Sequence, residues 1–207
     1  MPQGANPSTA YGWQDSRNPG SLDYILPCLV RLLEDIKARK VLDLGCGNGA
    51  TTAAMREHGF DVVGCEPDDE GVAIARARGG AFHQLGVYDD PGELVREAFD
   101  AVVCTEVIEH LYLPRHLFGF AGKVLAPGGH LVVSTPYHGY LKNLVLSLTG
   151  KWDSHFMALH DGGHIKFWSR ATLEALFREQ GFEVTGFCGV GRSPGLWKSM
   201  LVMGRKP

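Results

Sequence analysis

The stretch "KVLDLGCGNGATTAAMREHG" constrains this 207-residue chain more than any other. A short apolar run enters a turn with glycines at 45, 47 and 49, and a helical pattern follows that Gly59 stops. Glycine there lets the backbone turn tightly and lets a ligand approach it at a helix N-terminus. The same grammar then repeats. "FDVVGCEP" reads as a second strand, and "DEGVAIARARGG" as a helix with Asp69 as its candidate cap and Gly79 at its end. "AFHQLGVY" and "FDAVVCTE" read as third and fourth strands around the short helix "PGELVREA". "RHLFGFAGKVLAPGG" is a helix closed at a Pro-Gly-Gly turn before the fifth strand, "HLVVSTP". Near-continuously apolar strands alternating with helices predict a parallel sheet covered on both faces.

Two departures frame that alternation. Before it, "SLDYILPCLVRLLEDIKARK" has helical spacing, with Ser21 able to cap its start and Pro27 bending it or marking its first turn. After the fifth strand, residues 136–168 fit no strand-helix unit and hold four of the nine histidines. They leave the carboxyl end of the sheet, where ligands of open α/β folds bind. Within them, "YLKNLVLSLTG" is amphipathic, suited to a covering helix packed on the core or to a membrane surface. A capped helix, "SRATLEALFREQG", and two strands, "FEVTGFCGV" and "WKSMLVMGRK", close the chain. The organisation read here is an N-terminal arm and cap helix over 1–37 and a single domain over 38–207. The insertion at about 136–168 lies on its substrate side.

Composition removes several functions. A formal net charge of −3 disfavours a broad grip on nucleic acid, and no apolar run approaches the ~18 residues of a membrane span. The polar N-terminus lacks the apolar core of a signal peptide. The five cysteines, Cys28, Cys46, Cys65, Cys104 and Cys188, form no C-x-x-C pair and read as buried reduced thiols of a cytoplasmic protein. Oligomeric state is not legible.

At the end of the second strand lies Glu66, whose carboxylate can take both hydroxyls of a ribose. Gly45, Gly47 and Ala50 also satisfy the G-x-G-x-x-A form of a dinucleotide fingerprint, so an NAD-dependent oxidoreductase stays open on that motif. Asp43 shifts the balance. A carboxylate at the strand tip repels a pyrophosphate and draws a cationic tail, which fits S-adenosylmethionine better than NAD.

"VLDLGCGNG", "GCEPD", "FDAVVCTEVIEHL" and "LAPGGHLVVSTP", in that order and spacing, resemble the motifs of class I S-adenosylmethionine-dependent methyltransferases over roughly residues 38–190. The resemblance implies a Rossmann-like doubly wound α/β sheet of seven strands, mostly parallel with the last antiparallel. It implies that Gly45, Gly47 and the backbone around Cys46 border the methionine part, that Asp43 orients it, and that Glu66 and neighbouring Pro67 hold the ribose side. Val87 and Tyr88 would meet the adenine, with Asp89 receiving its amino group. Thr105, at the fourth strand's end, joins the same cofactor set. Arg17 stands where relatives fold a lid, with Tyr11 and Trp13, and can pair with the cofactor carboxylate.

"TEVIEHL" brings Glu106, Glu109 and His110 close together. Such a group can hold a metal, run acid/base chemistry through His110 or Glu106, or simply begin a helix. If a helix starts at once, the three share a face through i, i+3 and i+4 spacing. The pairing of "EVIEH" with the later "HIKFWSR" is similar to metal-dependent O-methyltransferases of the ubiquinone pathway and of small-RNA termini. That similarity implies a divalent ion held by Glu106, Glu109, His110 and His164. Tyr137, His138, Trp152 and His155 are candidates for the acceptor pocket. The function this implies is methyl transfer from S-adenosylmethionine to a small-molecule acceptor, at a hydroxyl oxygen. A non-catalytic cofactor-binding partner protein is the other alternative.

Overall fold

A computed structural model describes residues 16–156, 159 and 162–207. Tyr11, Trp13 and His160 lie outside the described residues. The elements run α1 (Leu22–Asp35), β1 (Lys40–Leu44), α2 (Ala50–Glu57), β2 (Asp61–Cys65), α3 (Asp69–Ala77), β3 (Ala81–His83) and β4 (Phe99–Thr105). They continue with α4 (Arg115–Val124), β5 (Leu125–Pro136), α5 (Tyr140–Thr149), α6 (Asp153–Phe156), α7 (Arg170–Glu179), β6 (Glu183–Val190) and β7 (Ser199–Arg205). The seven strands form one sheet in the order β3-β2-β1-β4-β5-β7-β6. β1 to β5 pair in parallel, and β7 runs antiparallel to both β5 and β6.

Side-chain alternation along each strand divides the core in two. Val41, Val62, Ala101, Val103 and Val132 face the apolar side of α1 and Met55 of α2. Leu42, Val63, Val102, Leu131 and Val133 face Phe118 of α4 and Phe177 of α7. The strand order reverses at β1 and β4, whose carboxyl ends therefore diverge and open a crevice.

Several local readings change. Asp68, not Asp69, caps α3, accepting from the Gly71 N–H at 2.7 Å. Ser21 precedes α1 but its side chain caps nothing, because the residue is already in helical conformation. Ser169 caps α7 in a reciprocal box with Thr172. β3 stops at His83, since the Asp89 carboxylate takes the Gly86 N–H at 2.7 Å and folds the following residues into a turn. Cys28 of α1 and Cys188 of β6 are joined as a disulfide, which corrects the reading of all five thiols as reduced. Packing of α1 onto β6 and β7 brings together two cysteines 160 residues apart. Cys46, Cys65 and Cys104 are buried and free.

The insertion helix also departs from expectation. α5 turns Lys142 and Leu146 inward and leaves Tyr140, Leu144, Val145 and Leu148 exposed, so it is not packed on the core by its apolar side. Among the described residues, no helix is long and apolar enough to cross a membrane.

Candidate active site

The crevice is lined by the glycine turn after β1, the end of β2, the turn after β3 and the end of β4. It encloses about 380 Å³, in the range of small-molecule and cofactor sites. The turn is pinned from beneath. Gly45 and Cys46 N–H groups donate to the Cys65 carbonyl at 2.8 and 2.9 Å, and Gly45 sits at φ 82°. A Cβ on Gly45 would stand 2.6 Å from a methyl of Val107, so only glycine fits between the turn and the β4 exit.

Glu66 has two tasks. Its oxygens accept the Gly47 N–H at 2.8 Å and the Asp68 N–H at 3.0 Å, fixing the turn to the β2 exit. A carboxylate offers about four lone-pair sites. Two therefore remain for ribose hydroxyls, and Glu66 and Pro67 both line the crevice. Burial raises the Glu66 pKa, against the lowering pull of those backbone donors. Cys46, Gly47, Val87, Tyr88, Asp89 and Thr105 also border the space.

Two predicted cofactor residues stand elsewhere. Asp43 is fully buried under the turn and outside the crevice lining; its Oδ2 accepts from the Thr52 hydroxyl at 2.6 Å and its Oδ1 has no partner. Burial pushes its pKa up to about 7, with repulsion from Glu66 adding to the effect and the Thr52 hydrogen bond opposing it. Arg17 is exposed and outside the crevice lining, while its carbonyl accepts from Asn48 at 2.8 Å. Pro19, Ser21, Leu22 and Ile25 supply that wall instead. The apolar periodicity of α1 was the signal for Leu22 and Ile25, but it does not distinguish a core-facing position from a cleft-facing one.

The chain leaving β4 does not turn helical at once. Glu106 takes a left-handed conformation (φ 54°), and a single 3-10 turn follows at Ile108–His110. Left-handed backbone is costly for a non-glycine residue and points to constraint by its surroundings. Here the constraint is visible: the Glu106 N–H and carboxylate both bond Ser134, and the second carboxylate oxygen accepts from Ser199 at 3.1 Å. Glu106 lines the crevice, and burial raises its pKa against those two hydroxyl donors.

Glu109 and His110 instead meet His164. One donor atom from each lies within 4.8 Å of the others, and Glu106 is outside this group. The expected shared face fails because the left-handed residue breaks the i, i+3, i+4 register. The segment carrying His164 is held by the Ile165 and Lys166 N–H groups, which donate to the Glu109 carbonyl at 2.9 and 3.0 Å. Glu109 is 1% exposed; Oε2 accepts from the Thr135 hydroxyl at 3.0 Å, while buried Oε1 has no hydrogen-bond partner. That Oε1 faces Nε2 of His110 at 3.9 Å and Nε2 of His164 at 4.0 Å. Nδ1 of His110 lies 2.7 Å from the Gly162 carbonyl, an acceptor, so in the neutral ring the proton sits on Nδ1. Burial and repulsion from Glu106 drive the Glu109 pKa well up. An orphaned buried carboxylate oxygen aimed at two imidazoles is a donor set that fits a divalent ion such as zinc or manganese.

The predicted acceptor-pocket residues make ring contacts within the insertion and with the β6–β7 loop. His138 stacks on Trp152 at 6.0 Å and meets His155 edge-on at 6.2 Å, while Tyr137 packs edge-on against Trp197. None of the four lines the crevice. Burial and neighbouring Lys142 lower the His138 pKa to about 4, so it is neutral.

A methyltransferase-domain family model matches residues 22–186. The chain is 25% identical over 191 residues to the ubiquinone biosynthesis O-methyltransferase of Hydrogenovibrio crunogenus, covering 88% of this chain and 79% of that protein. It is 28% identical over 199 residues to the enzyme of the same name from Pseudomonas aeruginosa, covering 89% and 84%. In fold it is similar to the magnesium protoporphyrin IX methyltransferase of Synechocystis, solved with bound S-adenosylhomocysteine, at a TM-score of 0.66 and 17% identity over 88% and 82% of the two chains. With its seven-stranded sheet, pinned glycine turn and crevice-lining Glu66, the chain belongs to the class I S-adenosylmethionine-dependent methyltransferases.

Proposed function

We propose that this methyltransferase methylates a hydroxyl oxygen of a small-molecule acceptor beside a divalent ion held by Glu109, His110 and His164. The orphaned Oε1 of Glu109, facing two imidazole nitrogens, is the observation that carries this reading. The substrate-side insertion at about 136–168 is the acceptor cap of a single domain over 38–207, preceded by an arm and cap helix over 1–37. A bound divalent ion supplies Lewis acidity, lowering the pKa of an acceptor hydroxyl beside it.

The chain's own groups do the rest. The glycine turn and Glu66 hold the nucleoside so that the sulfonium methyl points toward Thr105 and Glu106. An acceptor oxygen attacks the methyl carbon in line; the C–O bond forms, the C–S bond breaks, and its electron pair stays on sulfur as the neutral thioether. Positioning alone supplies much of the acceleration. The acceptor proton passes to the Glu106 carboxylate, whose burial makes it a better base than an exposed acid. The fixed tautomer of His110 favours a second reading, in which Nε2 takes that proton directly without a metal.

Elemental analysis of protein purified without an affinity-tag metal separates the two, alongside turnover of catechol before and after chelation. The metal reading expects about one ion per chain, lost in Glu109→Gln and His164→Ala. Metal-free protein that retains activity after chelation would overturn it and leave His110 as base.

A further inference from the structure

Lys142 has no place in the scheme above. It projects inward from α5 and is 8% exposed. Its Nζ donates to the Lys198 carbonyl at 3.1 Å, an oxygen that also accepts from the Tyr137 N–H at 3.0 Å. No described carboxylate lies within ion-pair distance of it. A buried ammonium without a paired anion is rare and costly. Core packing does not explain it, since Tyr140, Leu144, Val145 and Leu148 of this helix are exposed while the cation points in beside Leu146.

Its position is set by the strand ends. Lys198 is followed by Ser199, whose hydroxyl donates to Glu106 at 3.1 Å. The ammonium therefore sits one residue along the backbone from the carboxylate that borders the transferable methyl. Its charged neighbours are one cation and one more distant anion. Arg192 in the β6–β7 loop repels it and Glu106 attracts it, while Lys142 in turn helps to lower the pKa of the His138 and His155 imidazoles. α5 is seated against that same loop, where a Cβ on Gly195 would come 3.2 Å from Leu141.

We infer that Lys142, with Arg192 behind it, is the recognition cation for a carboxylate carried by the methyl acceptor. This rests on the acceptor lying between Glu106 and the insertion, as proposed above. The carboxylate supplies the missing counter-ion and turns the acceptor so that a hydroxyl remote from it addresses the methyl. Burial and Arg192 together lower the Lys142 pKa to about 8, a cost that an anionic ligand relieves.

The test compares catechol, 3,4-dihydroxybenzoate and 3,4-dihydroxybenzylamine as acceptors for the wild type, Lys142→Met, Lys142→Arg and Arg192→Glu. Turnover and calorimetric binding with S-adenosylhomocysteine present are both read. The wild type is expected to favour benzoate over catechol in kcat/KM and affinity by about ten- to a hundredfold, and to disfavour the amine. Lys142→Met abolishes that ratio, Lys142→Arg restores part of it, and Arg192→Glu lowers it several-fold. Arg192 is exposed, so its variant reports even where Lys142→Met fails to fold. Equal kcat/KM for the three acceptors in the wild type, or a ratio unchanged in the Lys142 variants, overturns the inference and leaves hydroxyl methylation standing. Benzoate binding that depends on Lys142, without turnover of any acceptor, supports the inference and removes the hydroxyl reading instead. Absence of both turnover and benzoate binding overturns the inference as well.

Discussion

Replacing Asp43 by Asn tests whether the buried acid beneath the glycine turn is held near neutrality in the free protein. Its carboxyl is raised from an ordinary value of 3.8 to about 7, chiefly by burial. A group bound more tightly to its proton in the folded state stabilises most below its unfolded pKa and loses that contribution as pH rises through the folded pKa. Between about pH 4 and 7, stability attributable to Asp43 must therefore fall. The full shift corresponds to about 4 kcal/mol at 1.36 kcal/mol per unit, of which about 3 kcal/mol is lost between pH 5 and pH 8.

Asn removes the titration but not the contact with Thr52, because its amide oxygen can still accept from the hydroxyl. Its NH2 then occupies the position of the unpartnered Oδ1, at a cost of about 1–3 kcal/mol. The variant is thus expected to melt at or below the wild type at pH 5 and to gain on it by pH 8. At ~2–4 °C per kcal/mol for a chain of this size, the difference between the two melting temperatures should swing by about 6–12 °C across that range. Thermal melts of both apo-proteins at pH 5, 6, 7 and 8 measure it. Parallel curves for the two proteins would refute the argument, since they would mean that Asp43 ionises alike in the folded and unfolded chains.

Two further substitutions probe the site's supports. Gly45→Ala places a side chain on a φ of 82° and drives a Cβ into Val107, so about 2–5 kcal/mol of stability and most cofactor affinity should be lost. A melting temperature within two or so degrees of the wild type (about 1 kcal/mol or less) would contradict that account. Thr135→Val removes the hydroxyl that orients Glu109 while keeping the side chain's shape. Metal affinity measured by chelator competition should fall about ten- to a hundredfold. Unchanged affinity would mean that Thr135 does not orient a metal ligand.

The fold was legible because it rests on local signals: apolar strands of the right length, glycines at turns, and helices closed by Gly59 and Gly181. That the glycine turn and the β2 and β4 exits border one crevice could be read for the same reason. The burial of Asp43 could not, because nothing local says whether a strand-tip acid points into the crevice or beneath it. Glu106 failed for a backbone reason. Its helical spacing to Glu109 and His110 matters only if the intervening chain is helical, and the bonds to Ser134 and Ser199 that hold φ at 54° come from other strands. His164 could be nominated only through a resemblance, since the two N–H groups that dock its segment onto the Glu109 carbonyl belong to no sequence pattern. Cys28 and Cys188 were misread because each looks, locally, like a small apolar core residue.

The acids that sequence reasoning did and did not place share one physical condition. Asp43, Glu66, Glu106 and Glu109 stand in or just beyond β1, β2 and β4, on the carboxyl side of the sheet, and burial raises the pKa of every one. Four buried carboxyls at one end of a sheet make a site that is short of positive charge when empty. In the binding mode proposed above, S-adenosylmethionine brings a sulfonium and an ammonium into that region, and the acids nearest to them become easier to ionise as it binds. Methyl transfer then converts the sulfonium to a neutral thioether. The cofactor's attraction to these carboxylates therefore weakens at the step that forms product, so the charge arrangement that favours loading also favours release of S-adenosylhomocysteine.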